Sequence, residues 1–239
     1  MIEPDLIPGR VLSRQSIADL NALLASLNAR KVERIAVMEP NGFRASGLVK
    51  VFNQAHLRRN LVLAESAYGL FFLQKGLVSL MAIRSIYETV AAYLAFEREF
   101  TAIMEGGSLQ AIFEFVKNRT HTTRIPKLIS EHGAQVTATN ILTHIAKLEK
   151  LRPTVKEEYD FLSDHTHPNG MGTVIYFRVE EEPGEVIVFS DSGPDPEADL
   201  QWILVGIKLL EHFEAALDRV EALLPALSTR GEAEKPAKT

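Results

Sequence analysis

The feature that most constrains the fold is a nearly unbroken apolar stretch between Lys75 and Glu97, whose only charged residues are Arg84 and Glu88. A helix drawn through this stretch is apolar on almost every side, and such a helix is normally buried. Arg84 and Glu88 are four residues apart, so they lie on one face, one turn above the other. Because a buried ion without a partner costs several kcal/mol, we expect both side chains to find partners inside the protein.

The same region, taken as Gly69–Phe96, is interpreted as a core helix and not as a membrane span. Lys75, Arg84 and Glu88 interrupt it, and no clean apolar run approaches the roughly 20 residues that a bilayer requires. The N-terminus has acids and prolines where a signal peptide has a basic start and an apolar run. We therefore expect a cytoplasmic protein without a membrane partner.

Composition excludes several classes of chemistry. The chain has no cysteine, so disulfides, thiolate metal sites and cysteine nucleophiles are excluded. Its net charge is −5 and its pI is about 5.8, so there is no overall electrostatic attraction to nucleic acid or to an anionic membrane. Its 239 residues are 46% hydrophobic, enough for one helical domain over residues 1–227. The remaining tail, 228–239, has no large apolar side chain to bury and is predicted to be disordered.

Helical spacing of apolar residues dominates the chain. Capping residues support several helix starts: Ser108, Asp195 before Pro196, and Thr154 with Glu157 in a capping box. Pro225 is expected to end the last helix. The predicted helices cover residues 16–36, 45–74, 77–100, 109–117, 138–151, 154–165 and 196–224.

A β-hairpin is predicted at about residues 172–190. Thr173, Ile175, Phe177 and Val179 alternate with their neighbours, and the turn Glu182–Gly184 leads into a second run rich in Val, Ile and Phe. An isolated hairpin is marginally stable in water, so it should pack on the helices or on a partner chain. The predicted fold is mainly α, a helical bundle with one β-hairpin before a long C-terminal helix, and we expect a homodimer.

A second concentration of polar residues lies in YDFLSDHTHPNG, Tyr159–Gly170. Tyr159 and Ser163 share one helix face. Pro168 disfavours helical geometry in the residue before it, so the helix should end near His165. We expect this face to meet Arg84 and Glu88, with the two histidines at the rim.

These two clusters supply the candidate site residues. A histidine has a pKa near 6.5, which suits proton transfer at neutral pH, and a nearby carboxylate can orient its ring. The alternative is a buried polar network that fixes the helices in register without chemistry. The candidate catalytic residues are Arg84, Glu88, His165 and His167, and the candidate ligand-binding residues are Tyr87, Tyr159, Ser163 and Asn169.

His165 and His167 also suggest a metal site, with Asp160, Asp164 or Glu88 as an oxygen ligand. On a continuous helix two residues this close point about 200° apart, so both reach one metal only if the helix ends at His165. A convincing site requires a third ligand that the pattern does not identify. We therefore assign no metal and no cofactor.

The pairing of an R-x-x-x-E helix (Arg84 to Glu88) with a later Y-x-x-L-S-x-x-x-H-P stretch (Tyr159 to Pro168) resembles bacterial helical proteins that are loosely similar to the HEPN group, the higher-eukaryote-and-prokaryote nucleotide-binding domains. The resemblance covers mainly residues 48–170. It implies a helical bundle, often dimeric, and in some relatives a metal-independent RNase of toxin or phage-defence systems. The HEPN catalytic signature, an Arg followed after four to six residues by a His, is absent, so no family catalytic residue is assigned.

The segment Lys117–Lys127 carries four basic residues and no acid. Such a segment suits phosphate contacts, although it lacks the aromatic residues that stack on bases. Three hypotheses for function follow from the sequence. They are a HEPN-like protein that binds a nucleotide or RNA, a non-enzymatic helical scaffold, and a metal-dependent hydrolase that uses His165 and His167.

Overall fold

The computed structural model describes residues 1–9, 11–38, 44–174, 176–180, 186–189 and 195–233. These residues form a mainly helical fold, with a β-hairpin before the C-terminal helices. The α-helices are α1 (Arg14–Ala29), α2 (Ala45–Phe72), α3 (Gly76–Gly106), α4 (Leu109–Thr120), α5 (Pro126–His132), α6 (Ile141–Glu149), α7 (Val155–Thr166), α8 (Gly170–Val174), α9 (Pro196–Lys208) and α10 (Leu210–Ala233). Short 3-10 helices cover Pro4–Leu6 and Ala134–Val136.

Helix α3 is the centre of the bundle. It packs against α2, α4, α6, α7, α9 and α10, and its large side chains Tyr87, Tyr93 and Phe100 are fully buried. Within the described residues it is also the one helix long and apolar enough to cross a membrane by length and composition, and 61% of its most apolar window is buried inside the protein. The apolar stretch thus forms the central core helix that its pattern predicts.

One connected core runs through the chain. Buried apolar residues from Ile2 to Leu227 belong to a single cluster. Gly47, in the first turn of α2, allows the backbone of Val37 to lie very close to the helix. A Cβ at this position would lie 2.2 Å from the backbone oxygen of Val37. The helix starts at Ser108 and Asp195 are confirmed, because each side chain accepts a backbone N–H of the first turn.

The end of the chain differs from the prediction in two ways. The predicted helix 196–224 is two helices, α9 and α10, and α10 continues through Pro225 to Ala233. A proline removes one backbone hydrogen bond from a helix interior, but here tertiary contacts outweigh that cost. Leu227 is fully buried, and Arg230 donates to the carbonyl oxygens of Met104 and Gly107. Residues 228–233 are therefore helical, and 234–239 lie outside the described residues.

The predicted capping box at Thr154 is wrong. Thr154 does not cap α7 with its side chain, and its hydroxyl donates to Glu158 Oε1 at 2.9 Å. Thr154 has helical backbone angles, whereas a capping residue usually has an extended backbone. The Thr154 hydroxyl therefore bonds to the buried carboxylate of Glu158, and not to a backbone N–H as the pattern predicts.

The hairpin is shorter than predicted. Strand β1 (Phe177–Glu180) pairs antiparallel with β2 (Val186–Phe189), and the predicted turn Glu182–Gly184 lies outside the described residues. The prediction that the first strand starts near Thr173 is wrong because α8 occupies that segment. Asn169 accounts for the difference, since its side-chain oxygen accepts the N–H of Gly172 and its carbonyl oxygen accepts the hydroxyl of Thr173.

Candidate functional site

The packing of α7 on α3 brings Arg84 and Glu88 together with Tyr159. Arg84 Nη1 donates to Thr166 Oγ1 at 3.2 Å, and Nη2 donates to the hydroxyl of Tyr159 at 3.4 Å. Arg84 Nε lies 3.4 Å from Glu88 Oε1 in an ion pair, although the buried Nε–H makes no hydrogen bond. These four residues are named here the Arg84 cluster.

Tyr159 connects the arginine to the glutamate. Its hydroxyl accepts from Arg84 and donates to Glu88 Oε1 at 2.9 Å, while the guanidinium carbon lies 5.5 Å from the centre of the Tyr159 ring. Burial is the main cause that raises the pKa of Tyr159; the carboxylate of Glu88 also raises it, and Arg84 lowers it. Tyr159 therefore stays protonated at neutral pH and fixes the orientation of both charged groups.

The Arg84 cluster is neither sealed in the core nor fully exposed. The Arg84 side chain is 25% exposed and the Glu88 side chain 31%. A guanidinium has five N–H groups, and two of them donate hydrogen bonds to Thr166 and Tyr159. Of the remaining three N–H groups, the Nε–H is buried without a hydrogen-bond partner, and the second N–H of each of Nη1 and Nη2 has no acceptor among the described residues. The cluster can therefore receive an anionic group from solvent.

A second polar network lies next to the cluster, deeper in the same helix pair. Glu158 Oε2 accepts the hydroxyl of Tyr87 at 2.6 Å, and Oε1 accepts from Arg152 at 2.7 Å and from Thr154 at 2.9 Å. Burial and the bond to Glu158 raise the pKa of Tyr87 far above its ordinary value. Tyr87 is itself fully buried, so it joins α3 to α7 and does not face solvent as a ligand-binding residue would.

His165 lies on another side of α7. Its Nδ1 is 2.8 Å from the carbonyl oxygen of Phe161, and its ring packs on the Phe161 ring at 3.9 Å, which in turn stacks on Trp202 at 4.3 Å. His165 faces Asp199 of α9, whose pKa is raised by burial and lowered by the nearby histidine. The geometry of α7 places His165 about 120° around the helix from Tyr159.

The other residues proposed from the sequence are placed around the end of α7. His167 is an exposed residue at the C-cap, with its backbone N–H on the carbonyl oxygen of Ser163. Asn169 is exposed and caps the start of α8, with its amide 3.4 Å from Asp164. Neither His167 nor Ser163 makes a hydrogen bond to Arg84 or to Glu88, so the structure brings together three of the eight candidates: Arg84, Glu88 and Tyr159.

The described residues also contain no group of three or more His, Asp or Glu side chains arranged to hold a metal ion. His165 Nδ1 lies 2.8 Å from a carbonyl oxygen, which can only accept, so Nδ1 carries a proton and only Nε2 of this ring is free to bind a metal. No geometric observation in this part of the chain therefore favours the metal-dependent hydrolase.

Three participants were missed from the sequence. Thr166 is seven residues after Tyr159, so two helical turns place both on one face, and this spacing was a usable signal. Glu158 lies between Val155 and Leu162 at helical spacing, which puts a carboxylate on the apolar face of α7. Arg152 precedes the helix, and its contact with Glu158 has no comparable signal.

The basic segment Lys117–Lys127 is partly neutralised by acids outside it. Arg119 pairs with Glu99, and Lys117 is 3.5 Å from Glu114. Its capacity to bind phosphate is therefore smaller than the run of basic residues indicates.

No protein-family model, curated protein or solved structure shows significant similarity to the chain.

Proposed function

We propose that the protein is a HEPN-like binding protein for a phosphate-bearing ligand, a nucleotide or an RNA end, and that Arg84 contacts the phosphate. The observation that carries this proposal is the incomplete hydrogen bonding of a partly exposed guanidinium. Its partners are two neutral hydroxyls at 3.2 and 3.4 Å and one carboxylate at 3.4 Å. Phosphate oxygens form shorter, charge-assisted hydrogen bonds with a guanidinium, often two in parallel.

The neighbours of Arg84 have defined roles in this proposal. Tyr159 and Glu88 hold the guanidinium in one orientation, so little conformational freedom is lost when an anion binds. Thr166 is held through its own bond to the carbonyl oxygen of Leu162 at 2.8 Å. The nearby carboxylate of Glu88 also repels an anion, which limits affinity and favours a ligand with further contacts, such as RNA.

The test is fluorescence anisotropy with a labelled 5′-phosphorylated RNA oligonucleotide and with the same oligonucleotide lacking the phosphate, at low salt. Arg84→Gln should weaken binding of the phosphorylated RNA by at least roughly tenfold, the loss of one charge-assisted contact. Arg84→Lys should recover only part of the affinity, because lysine keeps the charge without the planar fork.

The matched control is Arg14→Gln, which removes an exposed arginine whose partner is Asp5. This variant should bind like the unaltered protein. Equal binding by Arg84→Gln and Arg14→Gln would exclude Arg84 from the site.

A second candidate is a non-enzymatic scaffold, favoured by the bonds from α3 to α7 that run through Arg84, Tyr159 and Glu88. For this role Arg84→Gln should lower stability and affect no ligand. The long contacts and partial exposure of Arg84 suggest a loss of about 1–2 kcal/mol, less than for a fully buried ion. Urea unfolding of the variant, read beside the RNA titration, separates the two candidates.

We also propose that the protein forms a homodimer through the β-hairpin. Val179, Ile187 and Phe189 share one face of the two strands and are exposed, Phe189 to 75%. Covering this face with a second copy would remove apolar surface from water. Light scattering after size exclusion should show a dimer that Ile187→Lys converts to a monomer, and a monomeric unaltered protein would contradict the proposal.

A further inference from the structure

A cavity of about 330 Å³ lies between α2, α3, the end of α4 and the start of α6. It shares no residue with the Arg84 cluster. Its volume is at the lower end of small-molecule sites, which are usually about 300–1,000 Å³. A molecule of one ring or two fused rings has the matching size.

One wall of the cavity is aromatic and apolar. The Phe52 and Phe96 rings are 4.3 Å apart, and the Phe52 ring is 4.1 Å from that of His56. Ala92 and Ala95 of α3 complete this wall. Small residues beside aromatic rings leave room for a flat molecule. Burial of its apolar faces against these rings is favourable, because it removes apolar surface from water.

His56 offers a hydrogen-bond acceptor to this cavity. Its Nδ1 lies 3.0 Å from the carbonyl oxygen of Phe52, and this oxygen can only accept, so Nδ1 carries a proton. Burial, helped by the nearby charge of Arg59, lowers the pKa of His56 to about 4, so the ring is neutral at pH 7. In a neutral ring with a protonated Nδ1, the other nitrogen, Nε2, bears the lone pair.

A small excess of positive charge lies beside the cavity. Arg119 lines the cavity and pairs with Glu99, which is also 3.8 Å from Lys147. One carboxylate shared between two cations leaves a local charge of +1, which matches a single negative charge.

Two further polar residues, Thr122 and His144, line the cavity. Thr122 donates its hydroxyl to the carbonyl oxygen of Arg119 at 3.3 Å, and its oxygen keeps lone pairs that can accept a hydrogen bond. His144 is only 8% exposed, and its Nδ1 is buried without a hydrogen-bond partner among the described residues. That nitrogen is closed off from the cavity, so His144 contributes to the cavity wall and not to a ligand contact through Nδ1.

We propose that this cavity binds a small planar organic acid, with its ring against Phe52 and Phe96 and its carboxylate at Arg119. A ring N–H of the ligand donates to Nε2 of His56. The site prefers a monoanion to a phosphate dianion because Glu99 already offsets one of the two cations. This inference does not depend on the proposed function, because none of these residues contacts the Arg84 cluster.

The test is isothermal titration calorimetry with indole-3-carboxylate as the probe, beside the neutral indole-3-carboxamide and 1-methylindole-3-carboxylate. The unaltered protein should bind indole-3-carboxylate at least roughly tenfold more tightly than either relative, since each relative lacks one charge-assisted or neutral hydrogen bond. Arg119→Gln should remove the preference for the carboxylate over the carboxamide. His56→Leu should remove the preference for the N–H over the N-methyl compound.

A third variant keeps the test valid if either substitution unfolds the protein. Ala55→Trp places a bulky ring in the cavity from an exposed position on α2, which the fold should tolerate, and it should abolish binding of all three probes. No binding of indole-3-carboxylate at millimolar concentration would overturn the proposal. Binding that these variants leave unchanged would also overturn it, because the acid would then lie elsewhere.

Discussion

Replacing Tyr87 by phenylalanine should lower the free energy of unfolding by about 1.5–3 kcal/mol, the range for hydrogen bonds to a charged group. The Tyr87 hydroxyl is the donor 2.6 Å from Glu158 Oε2, and Glu158 is nearly buried. Without that hydroxyl, one oxygen of a buried carboxylate loses its bond, while the other keeps Arg152 and Thr154. The aromatic packing around residue 87 is unchanged.

Tyr93→Phe is the matched control, because it lies in the same helix and is also fully buried. Its hydroxyl donates to Asn53 Oδ1 at 2.9 Å, a neutral acceptor. The expected loss is about 0.5–1.5 kcal/mol. Urea unfolding at 25 °C, followed by far-ultraviolet circular dichroism, measures both variants, and the charge argument fails if Tyr87→Phe costs no more than Tyr93→Phe.

Two further predictions concern α2. Gly47→Ala should destabilise the protein by about 1–3 kcal/mol, because its Cβ would meet the backbone of Val37. Gly69→Ala is the control on the same helix; its Cβ would lie in open space, so it should stabilise the protein by about 0.5–1 kcal/mol. Thermal unfolding that ranks the two variants in the opposite order would contradict this prediction. His56 has a pKa lowered from 6.5 to about 4, so the unfolded chain takes up a proton before the folded one as pH falls. Stability should therefore decline between about pH 6.5 and 4, by up to about 3 kcal/mol from this residue. Urea unfolding across this range should show a shallower decline for His56→Leu and an unchanged one for the exposed control His121→Gln.

The sequence predicted most of the helices because their signals are local. The apolar run around Arg84 could only be buried, and the caps at Ser108 and Asp195 depend on side chains within one turn. The end of α10 could not be predicted in this way. Pro225 is a valid local stop signal, and it is overridden by the distant contacts of Leu227 and Arg230.

The candidate site was predictable as a meeting of two helices and less so in its details. Burial of Arg84 and Glu88 requires polar partners, and Tyr159 was the nearest match in pattern. Thr166, and not Ser163, bonds to Arg84. Which of the two side chains reaches Arg84 depends on the rotation of α7 about its own axis relative to α3, and tertiary packing sets this rotation. His165 was expected at the rim because it is close in sequence, but helical geometry turns it toward Trp202.

The proposal that Arg84 contacts a phosphate is tested most directly by the Nε–Hε signal of its side chain in two-dimensional nuclear magnetic resonance. This signal is assigned by its loss in Arg84→Lys, and the 5′-phosphorylated RNA oligonucleotide is then added to the unaltered protein. The account predicts a shift of the Arg84 signal that saturates with the RNA, while the signal of the exposed Arg14 stays in place. A bound RNA that leaves the Arg84 signal unmoved would contradict it.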